Sequence, residues 1–298
     1  MRLLDFAKLL RPQFLIAGLA LNLLGTMAAL HLGADLQWTR FTLFQVVVWS
    51  SQLAGACANE LADVGSDRLN NNRTWFSGGS GMIVSGRISV NTVIRTLVFW
   101  TVLTLVASVA LVLVFETGIT SLLLIVVGLS LALSYSLGPL QLSFRGFGEV
   151  AMAFMVSFLT PAVSFYVMSG EFDQLVVLVT APIVFQMLGL MMVVEHPDRE
   201  ADFAAGKKNL VVRLGAGKSW MIGVLMLVLG GVSAFVGGAL GLPSETAAIS
   251  GAILLVEASV FWALGRGTES KSKTFWSTAI SCGFYVLVIV SIALTIPY

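Results

Sequence analysis

Charge is scarce in this chain. Only 11% of its 298 residues are Asp, Glu, Lys or Arg, and 17 basic against 16 acidic side chains leave a net charge near +1. Charge-driven binding to a polyanion needs a strong basic excess, so nucleic acid is not expected as a partner. Cysteine is rarer still. Cys57 and Cys282 lie in apolar stretches without CxxC or ligand spacing, which argues against a disulfide framework or a zinc site and makes both small core residues. No Pro-rich, Gly/Ser-rich or low-complexity linker interrupts the chain, so residues 1–298 read as one integral-membrane domain.

What fills the chain is apolar: 57% hydrophobic residues and a mean hydropathy of +0.92 place it outside the soluble globular class. A crossing helix needs about 20 mainly apolar residues. Nine such runs occur, at roughly 13–32, 41–58, 93–115, 119–138, 149–169, 174–194, 219–241, 247–265 and 274–296. The second is the shortest and a long polar stretch follows it, which leaves an eight-span count open until charge placement is considered. The first run is too long for a signal peptide and has no small-residue cleavage pattern, so it is retained.

With the N-terminus in the cytoplasm, the segments on that side hold Arg2, Lys8, Arg11, Arg68, Arg73, Arg87, Arg95, Arg145, Arg199, Lys207, Lys208, Arg213, Lys218, Arg266, Lys271 and Lys273, and the other side only Arg40. Sixteen cations against one is a decisive positive-inside asymmetry. It supports an odd number of spans, places the long polar loops in the cytoplasm and sends the C-terminal Tyr298 outward. Those loops, Asn59 to Asn91 and Glu195 to Ser219, hold 15 of the 33 charged side chains and are where a membrane enzyme would keep its chemistry.

At the end of the second run stands Asn59-Glu-Leu-Ala-Asp63-Val-Gly-Ser-Asp67-Arg68, and at the end of the sixth Glu195-His-Pro-Asp198-Arg-Glu-Ala-Asp202. Helical positions four apart drift by only about 40°, so each cluster forms an oxygen-bearing stripe. Cations follow both: Arg68 and Arg73 after the first, Lys207 and Lys208 after the second. Asp63 and Asp198 are 135 residues and four spans apart, as in a duplicated four-helix unit, and repeats of that kind often place a site at their interface. Facing carboxylate pairs suit Mg²⁺, a hard cation that keeps several waters and bridges to phosphate oxygens, while Arg and Lys neutralise the remaining phosphate charge. Charged loops at a membrane surface are often simply solvated. Two copies at equivalent span ends, each trailed by cations, point to a diphosphate site.

The motifs together resemble the UbiA-type intramembrane prenyltransferases. NxxxDxxxD is met by Asn59, Asp63 and Asp67, and DxxxDxxxGKxxL by Asp198, Asp202, Gly206, Lys207 and Leu210. The run on through Val211-Val-Arg-Leu-Gly215 is most similar to the dihydroxynaphthoate polyprenyltransferases of menaquinone biosynthesis. Arg11-Pro12, Ser85-Gly-Arg-Ile-Ser89, Tyr135-Ser-Leu-Gly-Pro139 and Arg145-Gly-Phe-Gly-Glu149 also fit. The resemblance implies an all-α polytopic membrane protein with nine transmembrane helices around a central cavity, and Mg²⁺-dependent transfer of a polyprenyl group from an isoprenyl diphosphate to an aromatic acceptor. Asp63, Asp67, Asp198 and Asp202 would bind metal, with Asn59 and Glu195 as weaker candidates. Arg68, Arg73, Arg87, Arg145 and Lys207 would join Asn59 in binding substrate, and Tyr135 would face the allyl cation or serve as an interfacial belt residue. The isoprenoid tail would leave toward lipid.

Departures from the pattern are Ser143, where many relatives carry Lys, so that either Arg145 takes over the phosphate contact or the contact is lost, and Asn209, where Thr is common. Ser77-Gly-Gly-Ser-Gly81 lacks a P-loop's Lys and strand context and is expected as a flexible turn over the cavity. Glu257 lies nine residues before Arg266, roughly 13 Å up a helix, an expensive depth for an acid without a basic partner. It is expected protonated or facing a polar cavity. Asn22 and Gln13 fit either an acceptor head group or helix-to-helix hydrogen bonds. His31 is expected in an external loop and His196 as a neighbour of the site. Asn72-Arg-Thr74 matches a glycosylation triplet on the wrong side of the membrane for use. The rival from another class is a secondary transporter, which would place its acids near the midplane. A non-catalytic isoprenoid-binding scaffold would not need all four Asp.

Overall fold

The computed structural model describes residues 3–265 and 271–296; Arg2, Arg266 and Tyr298 lie outside them. Among the described residues there are helices and no strands, and nine helices are long and apolar enough to cross a membrane. They run Pro12–His31, Trp38–Ala62, Val90–Leu113, Ile119–Ser136, Gly148–Ser169, Gln174–Val194, Ala216–Ala239, Ser244–Leu264 and Phe275–Thr295. In lipid every backbone N–H and C=O must be satisfied within the segment, and that requirement is why the apolar runs of the sequence become helices.

The expected second span, 41–58, is the one the structure extends most. It reaches Ala62 because Glu60 is buried under the segment that follows and Asn59 accepts from Ser136 of the fourth span, so polar residues continue the helix beyond the apolar run. The third span begins at Val90, where the Ser89 hydroxyl caps the Thr92 N–H at 3.2 Å. The fifth contains a π-helical stretch, Ala153–Leu159, just before Pro161. Such insertions re-aim side chains, and here Met152, Met155, Val156 and Leu159 all reach the central cavity.

Packing reflects the duplication. The second span packs on the third and the third on the fourth, and the sixth on the seventh and the seventh on the eighth. The first span bridges the halves, touching the second, fifth and ninth. Small residues permit these approaches: a Cβ on Gly25 would stand 2.6 Å from the Ser164 Cβ of the fifth span. At the end opposite the acidic clusters, Arg40 ties the bundle by donating to the carbonyls of Phe115 at 2.9 Å and Val167 at 3.3 Å. The outer face of the third span carries Val98, Phe99, Val102 and Val106, each more than half exposed, as a lipid-facing surface requires.

The halves enclose a cavity of about 600 Å³ lined by the first, second, fourth, fifth, sixth and ninth spans. Its walls are apolar along Phe44, Val47, Val48, Leu124, Leu159 and Val163, and its polar end is closed by the segments following the second and sixth spans.

Candidate functional site

Both acidic clusters fold alike. The second span ends at Asp63, and a short helix, Val64–Leu69, continues with Asp67 N–H donating to the Asp63 carbonyl at 2.8 Å. The sixth span ends at Val194, ahead of Pro197, whose ring and missing N–H bar an uninterrupted helix. The helix Arg199–Ala204 then repeats the geometry, with Asp202 N–H donating to the Asp198 carbonyl at 2.8 Å. The two short helices pack together, so the two stripes face one another at the cavity mouth.

Lys207 joins them. Its Nζ lies 2.8 Å from Asp63 Oδ1 and 3.0 Å from Asp202 Oδ1, with 8% of the side chain exposed. Asn209 donates to Asp202 Oδ2 at 2.9 Å and caps Val212 N–H at 2.8 Å. On the other side, Arg73 Nη2 lies 3.8 Å from Asp67 Oδ2 and donates to the Asp67 carbonyl at 3.0 Å. Asp198 is held through both oxygens by the segment after the first cluster: Asn70 Nδ2 donates to Oδ1 at 2.6 Å and Gly78 N–H to Oδ2 at 2.8 Å. Gly78 and Gly79 have φ of +80° and +64°, a left-handed turn open to glycine, so the chain can double back under Asp67 and Asp198. Glu60, 3% exposed, anchors the turn by accepting from Ser80 N–H at 2.9 Å, Ser80 Oγ at 2.6 Å and Met82 N–H at 3.1 Å. The stretch Ser77–Gly81 expected as a flexible turn is therefore a pinned cover over the mouth.

Electrostatically the mouth has more buried negative charge than its cations balance. Burial, then the neighbouring Asp63, pushes the Asp67 carboxyl up from 3.8 to about 7, against Arg73. Burial, then Asp202, pushes Asp198 up to about 6. Asp202 is raised by burial and eased by Lys207. Burial disfavours the Lys207 ammonium, but Asp63 and Asp202 outweigh it and hold its pKa above the usual lysine range. Glu195, also lining the cavity, is pushed well above the carboxylate range by burial and by Glu149. Among the described residues no three His, Cys, Asp or Glu side chains stand grouped around one point as a ready-made metal cage. Mg²⁺ takes one or two carboxylates together with water and phosphate oxygens. The hard-oxygen donor set and the raised acids fit such an ion.

Sequence-predicted residues divide clearly. Asn59, Asp63, Asp67, Tyr135, Asp198, Asp202 and Lys207 all line the cavity, and Asn59 Oδ1 accepts from Ser136 Oγ at 3.1 Å. Arg73 stands directly behind Asp67. The structure does not bring Arg68, Arg87 or Arg145 to the cavity wall: all three are exposed. Arg87 instead pairs with Asp5 at 3.2 Å, which binds the N-terminal helix Leu3–Leu10 to the loop. Arg145 donates to the Pro139 carbonyl at 2.9 Å on the outer side of its turn, whereas Ser143, two residues earlier, faces the cavity. The proposed takeover of a phosphate contact by Arg145 thus fails on direction.

Arg11 takes a place that sequence motifs marked only as part of Arg11-Pro12. It lines the cavity, donates to the Phe76 carbonyl at 2.6 Å and lies 4.7 Å over the Phe14 ring. Its φ of +48° turns the chain between Leu3–Leu10 and the first span, a strained geometry that the tertiary contacts hold. Burial lowers its pKa, opposed by Asp198, Glu60 and Asp67. Asn70 was missed altogether. The run Asn70-Asn-Asn72 beside a basic residue was the only signal. Gln13 lines the cavity and donates to the Trp75 carbonyl at 3.1 Å, while Asn22 bonds across helices to Gln45 at 2.9 Å and Ser164 at 2.7 Å. Glu257 is fully buried and accepts from Gln186 Nε2 at 2.6 Å. His196 packs edge-on to the Trp220 ring.

Comparisons with known proteins agree with this architecture. The family model described as the UbiA prenyltransferase family matches residues 19–279. A UbiA homolog from Aeropyrum pernix K1, in its apo structure, superposes with a TM-score of 0.71 at 14% identity, covering 95% of this chain and 96% of its own. A UbiA homolog from Archaeoglobus fulgidus bound to GPP and Mg²⁺ gives 0.67 at 16% identity, covering 98% and 100%. A digeranylgeranylglyceryl phosphate synthase gives 0.63 at 18% identity, covering 98% of each chain. Comparison with curated proteins finds none that matches. At such identities the structures speak for the fold alone, but the family model spans most of the chain, and by it this nine-helix membrane protein belongs to the UbiA prenyltransferase family.

Proposed function

We propose that the protein transfers a polyprenyl group from an isoprenyl diphosphate to an aromatic acceptor with Mg²⁺, and that the acceptor is 1,4-dihydroxy-2-naphthoate, as in menaquinone biosynthesis. The observation that carries the transfer reading is Lys207 held between Asp63 and Asp202 at the mouth of an apolar cavity. Opposed carboxylates and a central cation form a site for a magnesium-bound diphosphate, and the cavity behind them is a solvent for its tail. The acceptor choice is supported by the Gly206-Lys207 to Gly215 segment. Likeness to a digeranylgeranylglyceryl phosphate synthase keeps a glycerol-phosphate lipid as second reading, and a hydroxybenzoate, a homogentisate or a carotenoid completes the panel.

Asp63, Asp67, Asp198 and Asp202 would hold Mg²⁺, which when bound neutralises charge on the leaving diphosphate. Lys207 and Arg11 line the same cavity and would meet the remaining phosphate oxygens, and Arg73 steadies Asp67. In a water-poor pocket such preorganised charges favour heterolysis of the allylic C–O bond, with the electron pair leaving on the diphosphate. Tyr135 lines the cavity close to the mouth and offers its ring to the allyl cation. The acceptor's aromatic carbon then forms the C–C bond to that cation, and the proton displaced from the same carbon passes to the released diphosphate. The segment 70–82 and the apolar walls exclude water from the cation. The four Asp sit at one end of the bundle rather than at its middle, which disfavours a transporter. The polar end faces the cytoplasm on the positive-inside count.

The test is purified protein with Mg²⁺, a labelled prenyl diphosphate and the acceptor panel, with the product identified by mass. Asp63→Ala and Asp198→Ala should each abolish turnover while the protein stays folded in detergent. Full activity of either variant would contradict the metal assignment.

A further inference from the structure

We propose that Arg145, Lys208 and Arg213 form a docking site for the headgroup of an anionic phospholipid, on the outer side of the loops that close the polar end. Two segments distant in sequence meet here. Lys208 N–H donates to the Phe144 carbonyl at 2.9 Å, and Arg213 Nη2 to the Arg145 carbonyl at 2.8 Å. Gly146, at φ +83°, makes the approach possible, since a Cβ there would meet the Lys208 carbonyl at 2.6 Å and the Arg213 guanidinium at 2.8 Å.

The junction has two sides. Ser143, Lys207 and Asn209 line the cavity, whereas Arg145, Lys208 and Arg213 are exposed and belong to none of its walls. Among the described residues none of the three forms an ion pair with a carboxylate. The nearby acids are engaged inward, Asp202 with Lys207 and Glu149 with Leu210 N–H. Each arginine gives one N–H to a backbone carbonyl, which leaves most of its five donors for an anion. Three exposed cations carried by one loop junction, none of them ion-paired with a carboxylate among the described residues, ask for an anionic partner from outside the chain.

Depth names that partner. Arg145 precedes the start of the fifth span at Gly148 by three residues, and Arg213 precedes the start of the seventh at Ala216 by three. Both arginines therefore stand at the polar ends of crossing helices, where a bilayer's headgroup layer meets the protein. Phe147, Val150 and Leu140 flank the cations at 62%, 58% and 47% exposure, an apolar rim that acyl chains and the interface cover. A soluble acidic protein would leave that rim in water. A lipid phosphate satisfies the cations while its chains cover the rim. A positive-inside excess accounts for how many cations face this side, but not for three of them being brought together by two loops. Because Lys208 stands between Lys207 and Asn209, a headgroup docked outside braces the loop that carries the inner contacts.

The experiment uses the full-length protein in nanodiscs of phosphatidylcholine, titrated with fluorescent phosphatidylglycerol. Arg145→Gln/Lys208→Gln leaves the Arg213 staple intact and removes two cations, each expected to contribute about fivefold. Phosphatidylglycerol affinity should fall roughly 30-fold, while Arg145→Lys should keep it and Mg²⁺-pyrophosphate affinity should not change. If the double variant fails to fold, Arg145→Gln alone, which loses only the bond to Pro139, should still weaken the lipid several-fold. Unchanged lipid affinity overturns the proposal. So does a loss that falls on pyrophosphate instead, or inorganic phosphate displacing the lipid at equal concentration. These lipid readouts are independent of whether the protein proves to transfer prenyl groups.

Discussion

Replacing Lys207 with Gln separates the metal from the diphosphate. The ammonium touches Asp63 and Asp202 at 2.8 and 3.0 Å and is nearly enclosed, so its removal leaves two carboxylates facing each other in a buried mouth. Breaking a buried ion pair by deleting one partner typically costs about 3–5 kcal/mol. In EDTA, Lys207→Gln should lose stability of that order, read by equilibrium unfolding in mixed micelles. Mg²⁺ restores it by taking over the vacated charge; an ion at 100 times its dissociation constant contributes about 2.7 kcal/mol. The variant should bind Mg²⁺ alone more tightly than the parent, because no fixed cation competes for Asp63 and Asp202. It should bind Mg²⁺-pyrophosphate more weakly, because a phosphate contact is gone. Opposite signs in two titrations on one sample are hard to produce by general damage. Weaker Mg²⁺ binding, or full stability in EDTA, would refute the reasoning.

The raised acids at the mouth predict a pH dependence. Asp67 and Asp198 hold protons up to about pH 7 and 6 in the folded metal-free protein, against an ordinary value of 3.8. Folding therefore binds protons, and the contribution of these two groups to metal-free stability is fully present below about pH 4 and lost as pH rises through 6 and 7. Mg²⁺ competes with those protons, so its calorimetric affinity should climb over the same range and level off above it; a flat profile would disprove the coupling. Asn70→Ala removes the 2.6 Å bond to Asp198 and should lower Mg²⁺ affinity about 10-fold to 100-fold. In the same variant, trypsin should cut after Arg73 faster even without metal, and equal cutting would show that the bond does not pin the segment. Glu257→Gln keeps a partner for Gln186 and should stay monodisperse on size exclusion. Glu257→Leu leaves the Gln186 amide unsatisfied and should cost about 1–3 kcal/mol.

Span number and the pairing of two acidic clusters at one end were open to inspection before any coordinates. Apolar runs of crossing length can only become helices in lipid, and the four-residue spacing of Asp63, Asp67, Asp198 and Asp202 places each pair on one helical face. Lys207 was accessible too, because it follows Asp202 by five residues in a tight turn. Other choices were not local. Arg11, Arg68, Arg73, Arg87 and Arg145 are equivalent as cations near span ends, and only the folded loops separate them: Arg11 points inward through a left-handed turn, while Arg145 lies on the outside of one. Asn70 became a partner of Asp198 across 128 residues, a separation no spacing rule covers.

By itself, then, the order of residues determined a nine-helix membrane protein with two acidic clusters at one end, because hydrophobic length and helical period act over a few residues at a time. Tertiary structure alone decided which cations meet those clusters and which turn to the lipid headgroups. That choice depends on how two distant polar loops pack together, and one residue's rotation along a loop exchanges cavity for surface.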